Sequence, residues 1–421
     1  MVLSRFPLHL HPLLTKAIHQ AMQAAYIVDA VRSPIGRYGG VLSSVRPDDM
    51  LALLIKSILQ RNPTLDPAGI EDVIAGATNQ AGEDNRDVAR MAALLAGLPV
   101  TVPGNTVNRL CASGMQAIMD AARAIMCGDG DVYLAGGVES MTRAPLVMPK
   151  ADGAFSRKTE IYDSTIGWRF TNSKLADMYH PYSMGETAEN VARQWNISRE
   201  EQDRFALQSQ VRYKEAYAAG KWAAEIIPVP ITPNKQGQVI ISDDEPPRET
   251  SLEKLAGLRP AFAKDGSVTA GNSAGINDGA SVVLVVSEQA LKQYNLKPLM
   301  QIKAMAVAGV DPSIMGIGPV PATQKALRRA GLTVGQLDLI ELNEAFAVQA
   351  LACIRDLGLD EAKVNVNGGS IAIGHPLGCT GARIAATLMH ELQRRPEAKY
   401  GLTTMCVGVG QGAAMIYENL K

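Results

Sequence analysis

The fold is decided by VNRLCASGMQAIMDAARAI at 107–125, with DVYLAGGVES at 131–140, and by a second stretch of the same plan. The second is VNVNGGSIAIGHPLGCTGARIAATLMHEL at 364–392, with YGLTTMCVGVGQGAAMIYE at 400–418. Each begins with Val-Asn at a predicted strand end, passes a small-residue turn with Cys and Gly, enters an Ala-rich helix and returns as a Gly-ended strand. Any two α/β units share part of this plan, but the shared Val-Asn and Cys–Gly turn favour duplicated halves.

The chain before the first of these stretches alternates between two periodicities. Residues 25–32 (AYIVDAVR) and 71–76 (EDVIAG) have the apolar runs of buried strands. Residues 46–60 and 84–96 have apolar side chains at helical spacing. Alternating strands and helices predict an α/β protein whose sheets are covered by helices.

Residues 142–276 differ from both halves. They contain many of the aromatic residues and a Pro-rich stretch, DDEPPRE. A helix is predicted at 198–220, because Ser198 and Glu201 form a capping box at its start and Gly220 ends it. We interpret 142–276 as an insertion. The predicted domains are a disordered extension at 1–24, a first half at 25–141 plus 277–295, the inserted loop domain at 142–276, and a second half at 296–421.

Composition excludes several classes of protein. The 421 residues carry 41 Lys+Arg and 42 Asp+Glu, a net charge of −1, so neither a nucleic-acid binder nor a polybasic membrane binder is indicated. No apolar run approaches the roughly 20 residues that span a bilayer. Five cysteines with no C-x-x-C pair argue against a zinc site or a disulfide framework. Free thiols fit a reducing compartment, and we expect the cytoplasm.

The first 24 residues have two interpretations. They contain three histidines and no acidic residue, as a mitochondrial transit peptide would, which would place the protein in the matrix. They contain only two basic residues, Arg5 and Lys16, and little Ser. We therefore favour a non-functional extension, with Met22 as the alternative start of translation.

Cys111 is the candidate nucleophile. It lies in NRLCASG at a turn that enters a helix, where free N–H groups and the positive end of the helix dipole favour the thiolate. The alternative is a buried structural cysteine, which is the commoner fate of a free thiol. Cys127 and Cys353 fall in helical patterns and are expected to pack in the interior. Cys379 is the serious competitor, because it is nearer to His375 in sequence than Cys111 is and holds the place in the second half that Cys111 holds in the first.

Three other residues carry candidate chemistry. His375, between Gly374 and Pro376, is predicted at a strand-to-loop corner and would be the base that activates a thiol; the alternative is a loop histidine with satisfied hydrogen bonds. Cys406 precedes alternating glycines, whose free N–H groups suit an oxyanion. Asn343 follows a predicted strand and would orient a water or donate to a carbonyl, whereas Glu344 beside it is expected to be solvated or to start a helix.

These segments together resemble the thiolase family of acyl-CoA C-acyltransferases over residues 25–421. The resemblance rests on ordered motifs: VDAVRSPIG, NRLCASG, AGGVESM, MGETAENVA, LRPAF, TAGNSAGINDGA, NEAFA, NGGSIAIGHPLG and CVGVGQG. It implies an α/β fold of two duplicated βαβαβαββ halves, stacked as five αβαβα layers with an inserted loop domain. It also implies a homodimer or homotetramer. It implies neither a metal nor a redox cofactor, and coenzyme A (CoA) is expected to be a substrate rather than a cofactor.

The family mechanism assigns roles to residues of this sequence. His375 takes the proton of Cys111, whose sulfur attacks the keto carbonyl of a 3-oxoacyl-CoA, and Cys406 protonates the acetyl-CoA carbanion that leaves. One oxyanion hole uses His375 with a water held by Asn343, and the other uses the N–H groups of Cys111 and Gly408. The resemblance places CoA on the loop domain and its surroundings, at Arg248, Met184, Phe262, Phe346 and Ser273. Ser273 stands one position before the serine of many relatives, and Ala274 occupies that position here.

The substrate is predicted from two further stretches. Residues 82–104 and 155–170 look like those of 3-oxoadipyl-CoA thiolases, whose substrate ends in a carboxylate that Arg157, Lys158 or Arg169 would pair with. The alternatives are acetoacetyl-CoA, a fatty-acid 3-oxoacyl-CoA, or basic side chains that are merely solvated. A decarboxylating ketosynthase would have a second histidine in place of Cys406. A non-catalytic acyl-CoA-binding protein would lack one of the three catalytic residues.

Overall fold

The computed structural model describes residues 23–151, 153–157, 159–232 and 237–420. Its strands are β1 (Ala25–Arg32), β2 (Gly36–Arg37), β3 (Asp72–Gly76), β4 (Gly104–Val107), β5 (Val132–Ser140), β6 (Leu146–Val147), β7 (Tyr162–Asp163), β8 (Val229–Ile231), β9 (Val239–Ile241), β10 (Asn277–Ser287), β11 (Met300–Gly309), β12 (Leu339–Leu342), β13 (Tyr400–Val407) and β14 (Gln411–Asn419). Residues 1–22 of the predicted extension, with Met22, and also Lys158 lie outside the described residues.

The helices alternate with the strands along both halves. They are α1 (Pro47–Arg61), α2 (Val88–Ala96), α3 (Ser113–Cys127), α4 (Ser173–Met178), α5 (Met184–Trp195), α6 (Arg199–Ala218), α7 (Leu252–Ala256), α8 (Glu288–Gln293), α9 (Pro319–Ala330), α10 (Ala347–Leu357), α11 (Ser370–Ile373) and α12 (Leu377–Arg394). Short 3-10 helices cover Pro67–Gly69, Pro312–Ile317, Val334–Gln336 and Glu361–Lys363. Within the described ranges, no helix is long and apolar enough to cross a membrane.

The strands of both halves form one mixed sheet in the order β12-β13-β14-β11-β1-β10-β5-β3-β4. In the first half, β1 pairs with β10 and β10 with β5, both antiparallel. Strand β5 then pairs with β3, and β3 with β4, both in parallel. In the second half, β11 pairs with β14 and β14 with β13, both antiparallel, and β13 pairs with β12 in parallel. The predicted duplication is thus confirmed in the topology. A short β1–β11 ladder, Tyr26 with Gln301 and Ile27 with Met300, joins the halves.

The second Val-Asn pair departs from the prediction. Val107 ends β4, but Val364 makes only a single parallel bridge, to Ile340, in the position that β4 holds in the first half. The Asn365 side chain replaces further strand pairing, because it accepts from Leu342 N and donates to Leu342 O, both at 2.8 Å. The strand end predicted at 364–365 is therefore reduced to this single bridge.

The layers follow from the alternation of side chains along each strand. One face of each half contributes to a core shared with α3 and α12, which lie between the two parts of the sheet. The opposite face of the first half is covered by α1 and α2, and that of the second by α9 and α10. Helix, sheet, helix, sheet and helix form the five predicted layers.

The two central helices approach each other closely at their N-termini. A Cβ atom on Gly114 of α3 would lie 2.6 Å from the Gly378 carbonyl oxygen of α12, and one on Gly381 would lie 2.3 Å from Met115 N. Because these contacts are with backbone atoms, a side chain at either position would force the two helices apart. The crossing therefore brings together the segments that precede the two helices, which contain Cys111 and His375.

The local helix predictions are largely confirmed. Ser198 and Glu201 form the predicted capping box of α6, and Gly220 follows its end at a φ of 68°. Helix α2 begins at Val88 rather than at residue 84, because Asp87 caps it and the two preceding residues have positive φ.

Residues 142–276 contain β6 to β9 and α4 to α7. Buried Arg32 of β1 ties this stretch to the first half through ion pairs with Glu225 and Asp244.

Candidate active site

Cys111 lies on the turn between β4 and α3. Leu110 before it has a φ of 45°, a left-handed conformation that a branched side chain rarely adopts. The Ser113 hydroxyl stabilises this turn, because it accepts from Arg109 N at 2.9 Å and donates to Leu110 O at 2.6 Å. The strained turn holds the sulfur just before Ala112, the N-cap of α3.

His375 lies between two helices rather than at the predicted strand-to-loop corner. Helix α11 ends at Ile373, Gly374 turns the chain at a φ of 110°, and Pro376 is the N-cap of α12. The His375 backbone N–H donates to Asn277 Oδ1 at 3.0 Å, and Asn277 Nδ2 donates to Gly36 O at 2.9 Å. Buried Asn277 therefore ties the histidine segment to the first half.

The hydrogen bonds of Thr380 determine the tautomer of His375. The Thr380 hydroxyl donates its only proton to Pro376 O at 2.8 Å, so it must accept from His375 Nδ1, 2.7 Å away. The proton of the neutral ring is then on Nδ1, and Nε2 has a free lone pair. Burial lowers the pKa of His375 to about 3, and the Arg383 charge adds to the shift. At neutral pH the ring is an uncharged proton acceptor.

A chain of buried side chains orients Asn343. Arg383 Nη2 donates to Ser370 Oγ at 2.6 Å, and Ser370 Oγ donates to Asn343 Oδ1 at 2.6 Å. The amide nitrogen of Asn343 must then face the other way, where Nδ2 lies 3.5 Å from His375 Nε2. The amide nitrogen of Asn343 is thus held beside Nε2 of His375, with its N–H groups toward the nitrogen lone pair.

Cys406 is the second thiol of the site. It is buried near the end of β13, and burial raises its pKa well above the usual value, with the nearby Cys111 as the next contributor. Gly408 to Gly410 form the turn from β13 to β14, where Val409 and Gly410 have φ values of 60° and 73°.

Burial sets the ionisation of Cys111. It raises the pKa of the thiol to about 11, although the N–H groups of Gly408 and of Cys111 itself lower it. The N–H groups at the turn do favour the thiolate, as expected, but desolvation outweighs them in the free site. The same N–H groups remain available to an oxyanion formed at this sulfur.

Glu139 is an important residue that the sequence reasoning did not identify. Its buried carboxylate accepts from the N–H groups of Thr78, Asn79 and Gly378 at 2.8–3.1 Å. Because Gly378 is in the first turn of α12, Glu139 joins the ends of β3 and β5 to the His375 segment. Glu344 is neither solvated nor the start of a helix, contrary to the expectation for it: it is buried, and it accepts from Ser209 Oγ, Asn365 Nδ2 and Ile371 N.

A cavity of about 410 Å³ opens onto Cys111. Most of its lining is apolar or hydroxyl-bearing, and the lining residues are Thr78, Leu110, Cys111, Ser164, Thr165, Ile166, Gly167, Trp168, Arg169, Phe170, Met184, Leu377, Gly408 and Val409. Arg169 is the one charged side chain among these described lining residues. Arg157, which was predicted together with it, is exposed and does not line the cavity.

The predicted CoA residues fall into separate places. Met184 lines the Cys111 cavity, and the rings of Phe262 and Phe346 meet edge to face at 6.2 Å. Ser273 is buried and donates its hydroxyl to Thr269 O at 2.7 Å. Arg248 lines a different cavity, of about 470 Å³, and donates to Ala270 O at 2.8 Å.

The other cysteines are distinct from the site. Cys379, the competitor, is fully buried inside the first turn of α12 and packs in a cluster with Ile35, Tyr213 and Trp222. Cys353 is buried as expected, whereas Cys127 is exposed at the end of α3, so its predicted packing role is wrong. In the described part of the chain, no three His, Cys, Asp or Glu side chains are grouped to hold a metal ion.

This fold and this set of residues define a thiolase: the chain belongs to the thiolase family. Residues 25–289 match the N-terminal domain of thiolase and residues 296–419 match its C-terminal domain. The protein is therefore an acyltransferase. The resemblance seen in the sequence motifs is confirmed.

Two curated relatives cover the same region. A 3-oxoadipyl-CoA/3-oxo-5,6-dehydrosuberyl-CoA thiolase of Escherichia coli is 57% identical over 95% of this chain and 100% of its own length. A beta-ketoadipyl-CoA thiolase of Acinetobacter baylyi is 55% identical with the same coverage. Among solved structures, the Bacillus anthracis acetyl-CoA acetyltransferase has a TM-score of 0.89 at 44% identity, over 95% of this chain and 100% of its own. Human mitochondrial 3-ketoacyl-CoA thiolase in complex with CoA has a TM-score of 0.87 at 42% identity, over 95% of this chain and 99% of its own.

Proposed function

We propose that the protein cleaves 3-oxoadipyl-CoA with CoA to give succinyl-CoA and acetyl-CoA, through an acyl-enzyme on Cys111. The observation that carries the proposal is the crossing of α3 and α12, which sets Cys111 and His375 before two adjoining helix N-termini. The relatives at 55–57% identity are 3-oxoadipyl-CoA and beta-ketoadipyl-CoA thiolases, which supports the substrate. Coenzyme A is the second substrate, and the free state of all five cysteines supports the cytoplasm as the compartment.

The first half-reaction forms the acyl-enzyme. The Cys111 proton moves to Nε2 of His375 as the sulfur attacks the C3 keto carbon of the substrate. Because the pKa of the thiol is high and that of the histidine is low, this transfer is favourable only as negative charge forms on the substrate oxygen. We assign stabilisation of that charge to the N–H groups of Cys111 and Gly408, whose effect on the Cys111 sulfur supports the assignment.

Collapse of this adduct breaks the bond between C2 and C3. The succinyl group stays on Cys111, and the electron pair remains on C2, where the adjacent thioester delocalises it as an enolate. We assign stabilisation of the enolate oxygen to Asn343 and His375, through a water or by direct donation. Cys406, whose raised pKa keeps it protonated, supplies the proton that completes acetyl-CoA.

The second half-reaction transfers the succinyl group to CoA. The CoA thiol returns a proton to the Cys406 thiolate and attacks the thioester carbonyl, and protonated His375 returns its proton to the departing Cys111 sulfur. Cys111 and Cys406 are then protonated and His375 is neutral, so the free enzyme is restored. We propose that the pantetheine arm passes Met184, Phe262 and Phe346, with Ser273 nearby, and that the nucleotide lies toward Arg248.

A substrate comparison tests the proposal. Purified protein is assayed for CoA-dependent cleavage of 3-oxoadipyl-CoA, of acetoacetyl-CoA and of a medium-chain 3-oxoacyl-CoA, with Cys111→Ala as the control. We expect a preference for the dicarboxylate of roughly tenfold or more in kcat/KM, or about 1.4 kcal/mol. Equal or faster cleavage of the uncharged substrates would assign the protein to acetoacetyl-CoA or fatty-acid chemistry instead.

A further inference from the structure

Arg169 is distinguished by its position in the cavity beside Cys111. Every other lining residue is uncharged, and no Asp or Glu is among them. Arg169 is half-buried in this lining, so water still reaches its guanidinium in the free protein. Within the described residues its guanidinium has one weak contact, from Nη1 to Ser164 O at 3.5 Å, and it forms no ion pair. Its charge is therefore not neutralised by the described part of the chain.

The segment that presents Arg169 is well anchored. Ser164 is buried and accepts from Asn79 Nδ2 at 3.2 Å, so the start of the segment is joined to the loop after β3. Trp168, next to Arg169, donates from Nε1 to Tyr182 O at 2.9 Å. The Phe170 ring packs edge to face on Tyr162 with centroids 5.0 Å apart. These contacts hold Arg169 at the cavity rather than on a freely moving loop.

From this geometry we propose that Arg169 is the specificity-determining residue that binds the carboxylate at the far end of the acyl chain. The inference rests on the proposed function, because it concerns the acyl group that Cys111 carries. In a 3-oxoadipyl chain, three carbon–carbon bonds separate the attacked carbonyl from the carboxylate carbon. A guanidinium on the wall of the cavity that opens onto Cys111 suits this short dicarboxylic chain. Its planar fork matches both carboxylate oxygens.

The electrostatic surroundings strengthen such a pair. Ile166, Trp168 and Phe170 lie beside Arg169 in the lining. Ile166 and Phe170 are exposed in the free protein, so a bound acyl chain would cover apolar surface there and strengthen an ion pair. Arg169 is only half-buried, however, so water solvates it when an uncharged chain is bound. We therefore expect a strong loss for the dicarboxylate when Arg169 is removed, with little penalty for a neutral chain.

The test compares two substrates of equal chain length, 3-oxoadipyl-CoA and 3-oxohexanoyl-CoA, in which a methyl group replaces the carboxylate. Arg169→Met is expected to lower kcat/KM for 3-oxoadipyl-CoA at least tenfold, and to leave 3-oxohexanoyl-CoA within about threefold. Arg169→Lys should recover part of the loss, because it restores the charge without the fork. Arg157→Gln is the matched control, since Arg157 is an exposed arginine outside the cavity, and it should behave as wild type.

The outcomes separate this inference from the proposed function. If Arg169→Met lowers both substrates equally, Arg169 is structural, and the inference is wrong. If the wild-type preference for 3-oxoadipyl-CoA survives in Arg169→Met, the proposed function stands and the role of Arg169 is refuted. If the wild-type enzyme prefers 3-oxohexanoyl-CoA, the proposed substrate is wrong, and the role proposed for Arg169 is refuted as well.

Discussion

His375 Nδ1 lies 2.7 Å from the hydroxyl of Thr380, five residues later in the chain and one turn into α12. The hydroxyl donates its own proton to Pro376 O, so it can only accept from the histidine. The start of a helix thereby fixes the tautomer of His375, the general base that we propose, and Nε2 carries the lone pair that would accept the proton of the thiol.

Thr380→Val should impair catalysis without disturbing the core. Valine has nearly the same shape but cannot accept from Nδ1, so the ring is free to take the other tautomer. We expect kcat to fall about 10- to 100-fold, as for groups that orient metal-bound histidines. Steady-state kinetics measure the effect, and Thr380→Ser, which retains the hydroxyl, should preserve most activity. Wild-type rates in Thr380→Val would exclude this role.

Ser370 and Asn343 should act as one unit. Asn343→Ala is expected to lower kcat by about 10²–10³, because a donor to the developing charge is lost. Ser370→Ala alone should cause a smaller loss in kcat, since it removes only the hydrogen bond that Ser370 Oγ donates to Asn343 Oδ1 and leaves the Asn343 amide in place. The double variant should be little worse than Asn343→Ala, because the interaction is already gone. Fully additive losses in kcat would show that Ser370 acts elsewhere.

The raised pKa of Cys111 predicts the pH dependence of its alkylation. In the free enzyme only the thiolate reacts with iodoacetamide, and a pKa of about 11 keeps it a minor species at neutral pH. The rate at Cys111 should therefore increase about tenfold per pH unit up to about pH 10. Peptide mass spectrometry on a Cys127→Ser background, which lacks the exposed thiol, measures this rate. A rate that levels off below about pH 8 would indicate a preformed thiolate instead.

The helix crossing predicts a stability effect at Gly381. Alanine there would place Cβ 2.3 Å from the Met115 backbone nitrogen, so α3 and α12 must move apart. We expect the free energy of unfolding to decrease by about 1–3 kcal/mol, as in overpacked cores. Chemical denaturation measures the change. Gly335→Ala is the control, because nothing lies within 4 Å of its added Cβ. Equal stability of the two variants would contradict the close crossing.

Much of the fold could be predicted from local pattern. The strand at 25–32, the helix after 46 and the capping box at Ser198 depend on nearby residues only, and the structure has all three. The repeated strand–turn–helix plan predicted the duplicated topology for the same reason. The second Val-Asn pair forms only a single bridge to Ile340, because the Asn365 side chain takes the backbone groups of Leu342 that a longer strand would pair.

The site residues were predictable only in part. Cys111 and His375 stand in distinctive turns, but Glu139 and Asn277 act on segments more than 90 residues away in the chain. No local pattern indicates such partners. The ionisation of Cys111 was predictable only in part, because a helix terminus is visible in the sequence whereas desolvation is a property of the folded site. Arg169 was one of three candidate cations, and the distinction between Arg169 and Arg157 depends on burial.

The most direct test of the acyl-enzyme mechanism is to mix the protein with 3-oxoadipyl-CoA in the absence of CoA and locate the acyl group by peptide mass spectrometry. We predict release of acetyl-CoA and a succinyl thioester on the peptide that contains Cys111. A folded Cys111→Ala variant should give neither product. A succinyl group on Cys379 or Cys406, or full turnover by Cys111→Ala, would contradict the account.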